Sequence, residues 1–338
     1  MESTALVSIR CLVYNHEPFL RKCLDGFVMQ KTNFSFEAIV HDDASTDCSA
    51  SIIREYAEKY PHIIKPIYEK RNRKSKNDGS LGRIMDDACQ GKYIAICEGD
   101  DYWTDPCKLQ KQVDFLESHL EYTMCCHRAF LFSEKEKKII GENYCYMEDK
   151  TIDIKDIINR TGLFISTCSI LYRKIIKDNY PLYCDQCVVG DYPLQIMCAM
   201  KGKTYFFNEA MSVYRVNNPN SWMGKQKWSA VSDNNLNRIR SMGNMFLGFA
   251  SDYKEYKKVF ENKCSHYINT SSPDASTSPN ENKYYFNYFK DITFNYSLKW
   301  KLDKYCRTHP NKFSSFYLKH IAPRLFNYFY PKNYKYES

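Results

Sequence analysis

The sequence predicts an α/β fold, in which a mostly parallel sheet flanked by helices is followed by an α+β part and a helical C-terminal extension. Two observations support this prediction. In residues 1–130, apolar residues alternate between short continuous runs and stretches with a helical period of about 3.6 residues, which indicates strands that alternate with helices. The chain has 338 residues, of which 43% are hydrophobic and 26% charged, so it can bury a full core and is neither disordered nor fibrous.

The apolar pattern also places each element. Strands are predicted at 6–13, 36–41, 63–68 and 93–97. Helices are predicted at 18–30, 84–89 and 106–118, and a further helix is predicted to begin after Ser45 or Thr46 as its N-cap. Gly91 is predicted to end the helix at 84–89. In the α+β part, strands are predicted at 124–132, 166–172, 204–207 and 211–214, with a helix that begins near Asp191. Beyond Trp222 the sequence is typical of polar helices with a loop at 270–281.

Positive charge is concentrated in two places. The net charge is +8, and the excess lies at 70–76 and in a C-terminal tail, 317–336, where Lys and Arg are interspersed with Tyr and Phe. Phosphorylated ligands, nucleic acid and an anionic membrane surface all suit such charge, and a solvated basic face explains 70–76 equally well. No apolar run of about 18 residues and no signal peptide occur, and the 15 cysteines then indicate a reducing compartment, so we expect a cytoplasmic protein.

Four carboxylates follow the predicted strand at 93–97, namely Glu98, Asp100, Asp101 and Asp105. Like charges at such short spacing raise one another's pKa values, and a divalent cation relieves the repulsion. Oxygen ligands suit Mg²⁺ or Mn²⁺, which usually bind one or two protein carboxylates together with substrate phosphates. The alternative is an acidic turn that caps the next helix, and we favour it for Asp105 alone.

Asp42 and Asp43 also follow a predicted strand. In a parallel sheet they therefore lie at the same edge as the first group of acids, where ligands of open α/β sheets bind. A carboxylate there can accept the N–H of a nucleobase or bind ribose hydroxyls. Turn and N-cap chemistry explains the same residues nearly as well, so this pair does not decide the function alone.

Four motifs in a fixed order carry a resemblance to a known family. They are Val7-Ser8-Ile9 running to Tyr14-Asn15-His16-Glu17, then Asp42-Asp43-Ala44-Ser45-Thr46-Asp47, Gly91-Lys92-Tyr93-Ile94, and Glu98-Gly99-Asp100-Asp101-Tyr102-Trp103. In this order and spacing, over about the first 120 residues, the sequence resembles the family 2 glycosyltransferases of the GT-A fold.

The resemblance implies inverting transfer from a nucleoside-diphosphate sugar, usually a UDP-sugar, with Mn²⁺ or Mg²⁺ as the cofactor. It implies that Asp101 binds the metal and Asp43 the base, while Glu98 stands where many relatives carry Asp. A phosphate-contacting basic residue would be useful at Arg83, although no motif includes it. The donor-binding positions are Val13, Tyr14, Glu17, Asp42, Asp43, Arg83, Glu98 and Asp100.

Inverting transfer requires a general base for the acceptor hydroxyl, and relatives carry an acid at the start of a helix about ninety residues after the metal motif. Gly190-Asp191-Tyr192-Pro193-Leu194 matches this pattern, which implies Asp191 as the base; an N-cap role is the alternative and is compatible with it. Trp103, Tyr214 and Trp222 are assigned to the acceptor site or a lid, with packing as the alternative for Trp222.

The resemblance divides the chain into a nucleotide-sugar-binding part, 1–121, an acceptor-binding and catalytic-base part, 122–225, and a helical extension, 226–338. The implied acceptor is a saccharide or a lipid-linked saccharide, in the synthesis of cell-surface polysaccharide. The C-terminal tail would then make peripheral contact with the cytoplasmic membrane face.

Three other hypotheses fit parts of the sequence. A nucleotidyltransferase that makes nucleotide sugars, or a dinucleotide oxidoreductase, would need a Gly-rich phosphate loop after the first strand, which Tyr14-Asn15-His16-Glu17-Pro18 does not provide. A basic protein that binds nucleic acid or a membrane surface through the tail is the third. We expect no nucleic-acid partner.

Overall fold

The elements of the structure follow the predicted order. The structure, a computed structural model, describes residues 5–76, 79–160, 164–218 and 232–271, with Tyr285, Tyr288, Phe289, Tyr305 and Ser314. Its strands are β1 (Val7–Val13), β2 (Phe36–Asp42), β3 (Ile64–Tyr68), β4 (Tyr93–Ile96), β5 (Tyr102–Trp103), β6 (Tyr122–Ser133), β7 (Lys138–Asn143), β8 (Lys150–Thr151), β9 (Leu171–Arg173) and β10 (Lys203–Val216). Its helices are α1 (Glu17–Val28), α2 (Ser49–Lys59), α3 (Ser80–Ala88), α4 (Lys108–Ser118), α5 (Ile154–Arg160), α6 (Leu182–Asp185), α7 (Asp191–Lys201), α8 (Asp233–Asp252) and α9 (Lys257–Thr270).

The sheet confirms the predicted α/β class. Its strand order is β3-β2-β1-β4-β9-β6-β10-β5, with β7 paired to β6 and β8 to β10. Pairing is parallel from β3 to β4 and between β6 and β10. β9 joins these two parts through antiparallel pairs with β4 and β6, which accounts for the mixed α+β pattern of the later sequence.

The register of the parallel strands brings the acidic strand ends to one edge. Val13 pairs with Asp42, and Asp42 pairs with Tyr68, so β1, β2 and β3 end together. The loop after β4 stays attached to β1, because the Gly99 N–H donates to the Leu12 carbonyl at 3.0 Å. The carboxylates predicted at these strand ends therefore lie along the edge where α/β sheets bind ligands.

β5 connects residues 98–101, here called the acidic loop, to β10. Tyr102 and Trp103 pair antiparallel with Val213 and Ser212 of β10. Because β5 starts directly after Asp101, the loop is held between β4 on one side and β10 on the other. Residues of β10 thereby become neighbours of the acids.

The strand predictions for the α+β part were wrong in two places. The predicted strand at 166–172 is a short 3₁₀ helix, Thr167–Ser169, followed by β9. The strands predicted at 204–207 and 211–214 form one strand, β10, whose register with β6 shifts on both sides of Ala210. A bulge of this kind breaks the two-residue side-chain alternation, so one strand gives the pattern of two.

The predicted N-cap of α2 was wrong, because neither Ser45 nor Thr46 caps this helix. The Ser49 N–H at the start of this helix donates to Asp47 Oδ1 at 2.9 Å. Ser45 Oγ instead accepts the Asn15 N–H at 2.9 Å, and the Thr46 N–H donates to Asn15 Oδ1 at 2.7 Å. These bonds lock the loop after β1 to the loop after β2.

Gly91 packs against β1 and does not end α3, which stops at Ala88. A Cβ at Gly91 would lie 2.5 Å from the Ser8 backbone nitrogen. The Gly91 N–H also donates to Ser8 Oγ at 2.8 Å. The close approach of two backbones therefore requires glycine here.

Most of the described cysteines lie in the core. Cysteines within the described ranges form no disulfide, and all of those except Cys48 and Cys107 are buried or nearly so. Several line the core between β1, β4 and α1, where they act as small apolar side chains.

The chain divides into two compact units, Met1–Lys227 and Trp228–Ser338. The first contains the sheet. In the second, α8 packs on α9, with the rings of Phe249 and Phe260 stacked at 5.3 Å. No helix in the part of the chain that the structure describes is long and apolar enough to cross a membrane. The predicted loop at 270–281 is described only as far as Ser271, and the tail at 317–336 lies outside the described residues.

Candidate active site

Gly99 lies in a closely packed part of the acidic loop. A Cβ at Gly99 would lie 2.7 Å from His16 Nδ1 and 2.9 Å from Val13 Cγ2. The loop closes on itself through the Asp101 N–H, which donates to the Glu98 carbonyl at 3.0 Å. This tight turn holds the carboxylates that follow β4 in fixed positions at the sheet edge.

Glu98 faces β1. Its Oε2 accepts the Leu12 N–H at 3.0 Å, and its Oε1 lies 3.8 Å from the guanidinium of Arg10. Burial, together with the neighbouring Asp100 carboxylate, raises the pKa of Glu98 to about 7 against the opposing effect of Arg10. The side chain therefore fastens the end of β1 to the acidic loop, which gives a structural use to the residue that departs from the family pattern.

Asp101 is buried and has one carboxylate oxygen that is not hydrogen-bonded to any described residue. The residue is 3% exposed, and its Oδ1 accepts the Arg215 N–H at 2.8 Å. Its Oδ2 has no hydrogen-bond partner among the residues that the structure describes. Burial and the neighbouring Asp100 charge raise the pKa of Asp101 well above its ordinary value. A divalent cation would relieve this cost, so the donor set fits Mg²⁺ or Mn²⁺.

In the described ranges, no group of three or more His, Cys, Asp or Glu side chains is arranged to hold a metal ion. A site built on one or two carboxylates suits a Mg²⁺-type ion that takes its other ligands from substrate phosphates and water.

Arg215 supports Asp101 from behind. Its guanidinium bonds Glu134 at 2.7 Å and lies 4.9 Å from the ring of Phe19, 5.0 Å from Tyr102 and 5.4 Å from Phe132. Its side chain is 8% exposed. The aromatic cage fixes the backbone whose N–H holds Asp101, so Arg215 acts on the acid through its main chain.

Asp42 and Asp43 differ in what they already bind. The two oxygens of Asp43 accept the backbone N–H groups of Arg73 at 2.6 Å and of Lys74 at 3.0 Å. Asp42 Oδ2 accepts the Ser45 N–H at 3.4 Å, and its buried Oδ1 has no hydrogen-bond partner in the described structure. The predicted base-binding acid thus anchors a neighbouring segment, while Asp42 keeps an unused acceptor.

Three further predicted donor-binding residues surround the ends of β1 and β2. Val13 is buried, and its carbonyl accepts the Asp43 N–H at 2.9 Å. Tyr14 is 36% exposed. Glu17 Oε2 accepts the Cys48 N–H at 3.0 Å, so Glu17 bridges the starts of α1 and α2.

Asp191 is the first residue of α7, at the position predicted for the base. The Thr167 hydroxyl donates to its Oδ2 at 2.9 Å. Burial raises the pKa of Asp191, and the Thr167 hydrogen bond opposes that rise. The next residue secures the helix start, because the Tyr192 hydroxyl donates to the Ile158 carbonyl at 2.6 Å.

Tyr214 brings the two groups of acids together. Burial raises the pKa of its phenol well above the ordinary value, and the next contributions are the charges of Asp101, Asp191 and Asp100. The candidate base and the acidic loop, 90 residues apart in the chain, are both linked to β10. Asp101 accepts the Arg215 N–H, and Thr167, which bonds Asp191, precedes Cys168, whose thiol lies 3.2 Å from the Ser212 hydroxyl. The region between these two acids is called the cleft below.

Arg83 and Lys74 are basic residues with different neighbours. The guanidinium of Arg83 lies beside Gly79, and a Cβ added to Gly79 would be 2.9 Å from Arg83 Nη1. Arg83 also neighbours Asp185. Lys74, which the sequence prediction did not include, adjoins Glu98 and Asp191. Only its place in a basic run marked it beforehand.

The assignment of Trp103 to the acceptor site or a lid was wrong. Trp103 is 2% exposed, and its indole N–H donates to the Cys168 carbonyl at 2.9 Å. The centroid of its ring lies 5.0 Å from that of Phe27, and the Lys108 ammonium lies 4.0 Å from the centroid in a cation–π contact. It is a core residue beneath the acidic loop. Trp222, the other tryptophan of that assignment, lies outside the described residues.

Comparison with protein families decides the classification. The model described as Glycosyl transferase family 2 matches residues 8–180, which is more than half of the chain. The chain belongs to glycosyltransferase family 2. The matched part of this family 2 protein runs from β1 past β9 and includes the acidic loop, which confirms the resemblance predicted from the four motifs.

Sequence relatives of this family 2 protein include an uncharacterized protein of Mycobacterium tuberculosis. The two are 37% identical over 212 residues, which are 62% of this chain and 58% of the relative. The matching region thus spans less than two thirds of the relative's length.

Solved structures share the GT-A fold. S. aureus TarS 1–349 in complex with UDP aligns with a TM-score of 0.56 at 15% identity, covering 90% of this chain and 81% of that one. The mannosyltransferase PcManGT from Pyrobaculum calidifontis, in complex with GDP-Man and Mn²⁺, aligns with a TM-score of 0.53 at 13% identity, covering 89% and 78%. At these identities the comparison establishes the fold of this family 2 chain.

Proposed function

We propose that the chain is an inverting glycosyltransferase that moves a sugar from a nucleoside-diphosphate sugar, with UDP-sugars favoured, to an acceptor hydroxyl. The observation that carries this proposal is that Asp101 and Asp191 are held beside the same part of β10, Asp101 by the Arg215 N–H and Asp191 by Thr167, whose neighbour Cys168 contacts Ser212. An acid that can hold a metal and an acid that can take a proton then face the same cleft, as a displacement with inversion requires.

The donor would bind at the ends of β1, β2 and β4, in the part formed by 1–121. Asp101 offers Oδ2 to a divalent cation, and Asp42 offers its unbonded Oδ1 to a base or ribose. When bound, the cation neutralises charge on the departing diphosphate. Family membership, with UDP in the TarS structure and Mn²⁺ in the PcManGT structure, supports a metal-bound nucleotide sugar as the donor.

The acceptor would enter from the part formed by 122–225. The carboxylate of Asp191 takes the proton of the acceptor hydroxyl. At the same time the hydroxyl oxygen of the acceptor attacks the anomeric carbon from the side opposite the diphosphate. The bond between that carbon and the diphosphate oxygen breaks, and its electron pair leaves with the nucleotide. A saccharide or lipid-linked saccharide acceptor, in cell-surface polysaccharide synthesis, is the acceptor class we propose.

Ligand stabilisation tests this function directly. We expect UDP or a UDP-sugar to raise the melting temperature of the chain with Mn²⁺ present, and to do so less without metal. At a ligand concentration of about 100 Kd, binding adds about 2.7 kcal/mol to the free energy of unfolding, a shift that thermal melts resolve easily. GDP, CMP and their sugars serve as matched controls. A panel in which no nucleotide stabilises the chain would refute the proposal.

Thr167 should set the pH dependence of transfer. Its hydroxyl stabilises the ionised form of Asp191, so Thr167→Val is expected to raise the pKa of that acid further. The base works only when ionised, and activity is therefore lost as pH falls through this pKa. The acid limb of the kcat profile should move to higher pH in Thr167→Val but not in Thr167→Ser, which keeps the hydroxyl. Coincident acid limbs in both variants would contradict the role of the hydrogen bond.

A further inference from the structure

Residues 70–76, here called the basic segment, are fastened to the edge of the sheet that holds the acids. The Asp43 carboxylate accepts the backbone N–H groups of Arg73 and Lys74. Glu69 bonds the Arg73 guanidinium at 2.7 Å and lies 3.5 Å from the buried His41 of β2. The backbone of the segment is therefore attached to the site, while most of its side chains are exposed.

Lys74 is the member of the basic segment that is directed to the cleft. Its Nζ donates to the Val188 carbonyl at 3.4 Å, three residues before Asp191. Glu98 and Asp191 are among its electrostatic neighbours. Within the described ranges, the ammonium forms no ion pair with a carboxylate and has only this one long hydrogen bond.

The path of Lys74 across the site indicates what it binds. Its backbone is held by Asp43, at the end of the cleft assigned to the base, and its ammonium lies close to Asp191, at the end assigned to the reacting sugar. In a nucleotide sugar the group between the base and the sugar is the diphosphate. An ammonium with three donors and unused charge suits that anion.

We propose that Lys74 binds the donor diphosphate and stabilises it as it departs, an inference that rests on the proposed function. The contact gains strength as the bond to the anomeric carbon breaks, because negative charge then accumulates on the diphosphate oxygen. The acceptor proton goes to Asp191, so Lys74 transfers no proton. Lys74 thus takes the phosphate-contacting role that the sequence suggested for Arg83.

The basic segment provides its own matched control. Lys76 is exposed, as Lys74 is, but its side chain makes no hydrogen bond or ion pair in the described structure. Lys74→Ala and Lys76→Ala therefore remove the same charge from the same segment, and only the first removes the proposed contact. Lys74→Arg keeps the charge and should keep most of the binding.

The experiment measures the affinities of UDP and uridine for the full chain with Mn²⁺ present. We expect Lys74→Ala to weaken UDP binding by about 10- to 100-fold, as expected for a lost charge-assisted hydrogen bond, and to leave uridine binding unchanged. Lys76→Ala should stay within about twofold of wild type for both ligands. Thermal melts without ligand check that each variant is folded.

Each other outcome overturns the inference in a distinct way. Equal UDP affinity in Lys74→Ala and wild type would remove Lys74 from the donor site, and a simultaneous collapse of transfer would assign it to a phosphate on the acceptor. An equal loss in Lys76→Ala would reduce the effect to net charge. A wild-type chain that binds neither UDP nor uridine would refute the proposed function itself, and Lys74 with it.

Discussion

Replacing Asp191 with asparagine is expected to reduce sugar transfer by about 10²- to 10⁴-fold while donor binding persists. The amide cannot accept the proton of the acceptor hydroxyl, and this is the step assigned to Asp191. The change leaves the local fold intact, because an asparagine oxygen can still accept the Thr167 hydroxyl that bonds Asp191 at 2.9 Å. The loss should therefore appear in kcat and not in nucleotide affinity.

Product formation at saturating donor, with nucleotide affinity from thermal shift, separates these two effects. Asp185→Asn is a suitable control, because Asp185 is a half-buried carboxylate on α6 that adjoins Arg83. It should transfer sugar at close to the wild-type rate. Turnover of Asp191→Asn within about tenfold of wild type would exclude Asp191 as the base.

The placement of the acids at one sheet edge could be predicted from sequence because its signals are local. β1, β2 and β4 are short apolar runs, and each delivers its acids within a few residues of the strand end. The parallel arrangement then brings Asp42 and Asp101 to one edge without any knowledge of long-range contacts. Local pattern and global fold agree there, which is why four short motifs were sufficient.

Residues whose roles depend on distant partners could not be predicted in this way. Trp103 is committed to the core by the Cys168 carbonyl, 65 residues away in the chain. Lys74 reaches the cleft because Asp43 holds its backbone and Val188 meets its ammonium, 114 residues along. Neither hydropathy nor spacing encodes these contacts. The contact of Arg215 with Asp101 could not be predicted for the same reason, since its backbone N–H donates to Asp101 from another strand.

Replacing Asp101 with asparagine is expected to abolish metal-dependent nucleotide binding. An amide is a weaker ligand for a hard cation than a carboxylate. Loss of a residue that only supports a metal ligand can lower metal affinity by roughly 100-fold, and loss of the ligand itself should lower it at least as much. The geometry strengthens this expectation. If the asparagine oxygen keeps the Arg215 N–H that now bonds Oδ1, its NH₂ group faces the cation in place of Oδ2.

Asp105→Asn is the matched control, because that carboxylate is close in sequence but has a structural use. Asp105 Oδ1 accepts the Cys107 N–H at 2.7 Å, and Oδ2 bonds Lys111 of α4 at 2.7 Å, so this carboxylate secures the turn just before α4. Its loss should lower the melting temperature slightly and leave the response to Mn²⁺ unchanged. Titration of Mn²⁺ with UDP present distinguishes the two variants. If Asp101→Asn binds UDP with undiminished dependence on Mn²⁺, the metal is held elsewhere, and the acidic loop serves the donor through Asp100 and Glu98 alone.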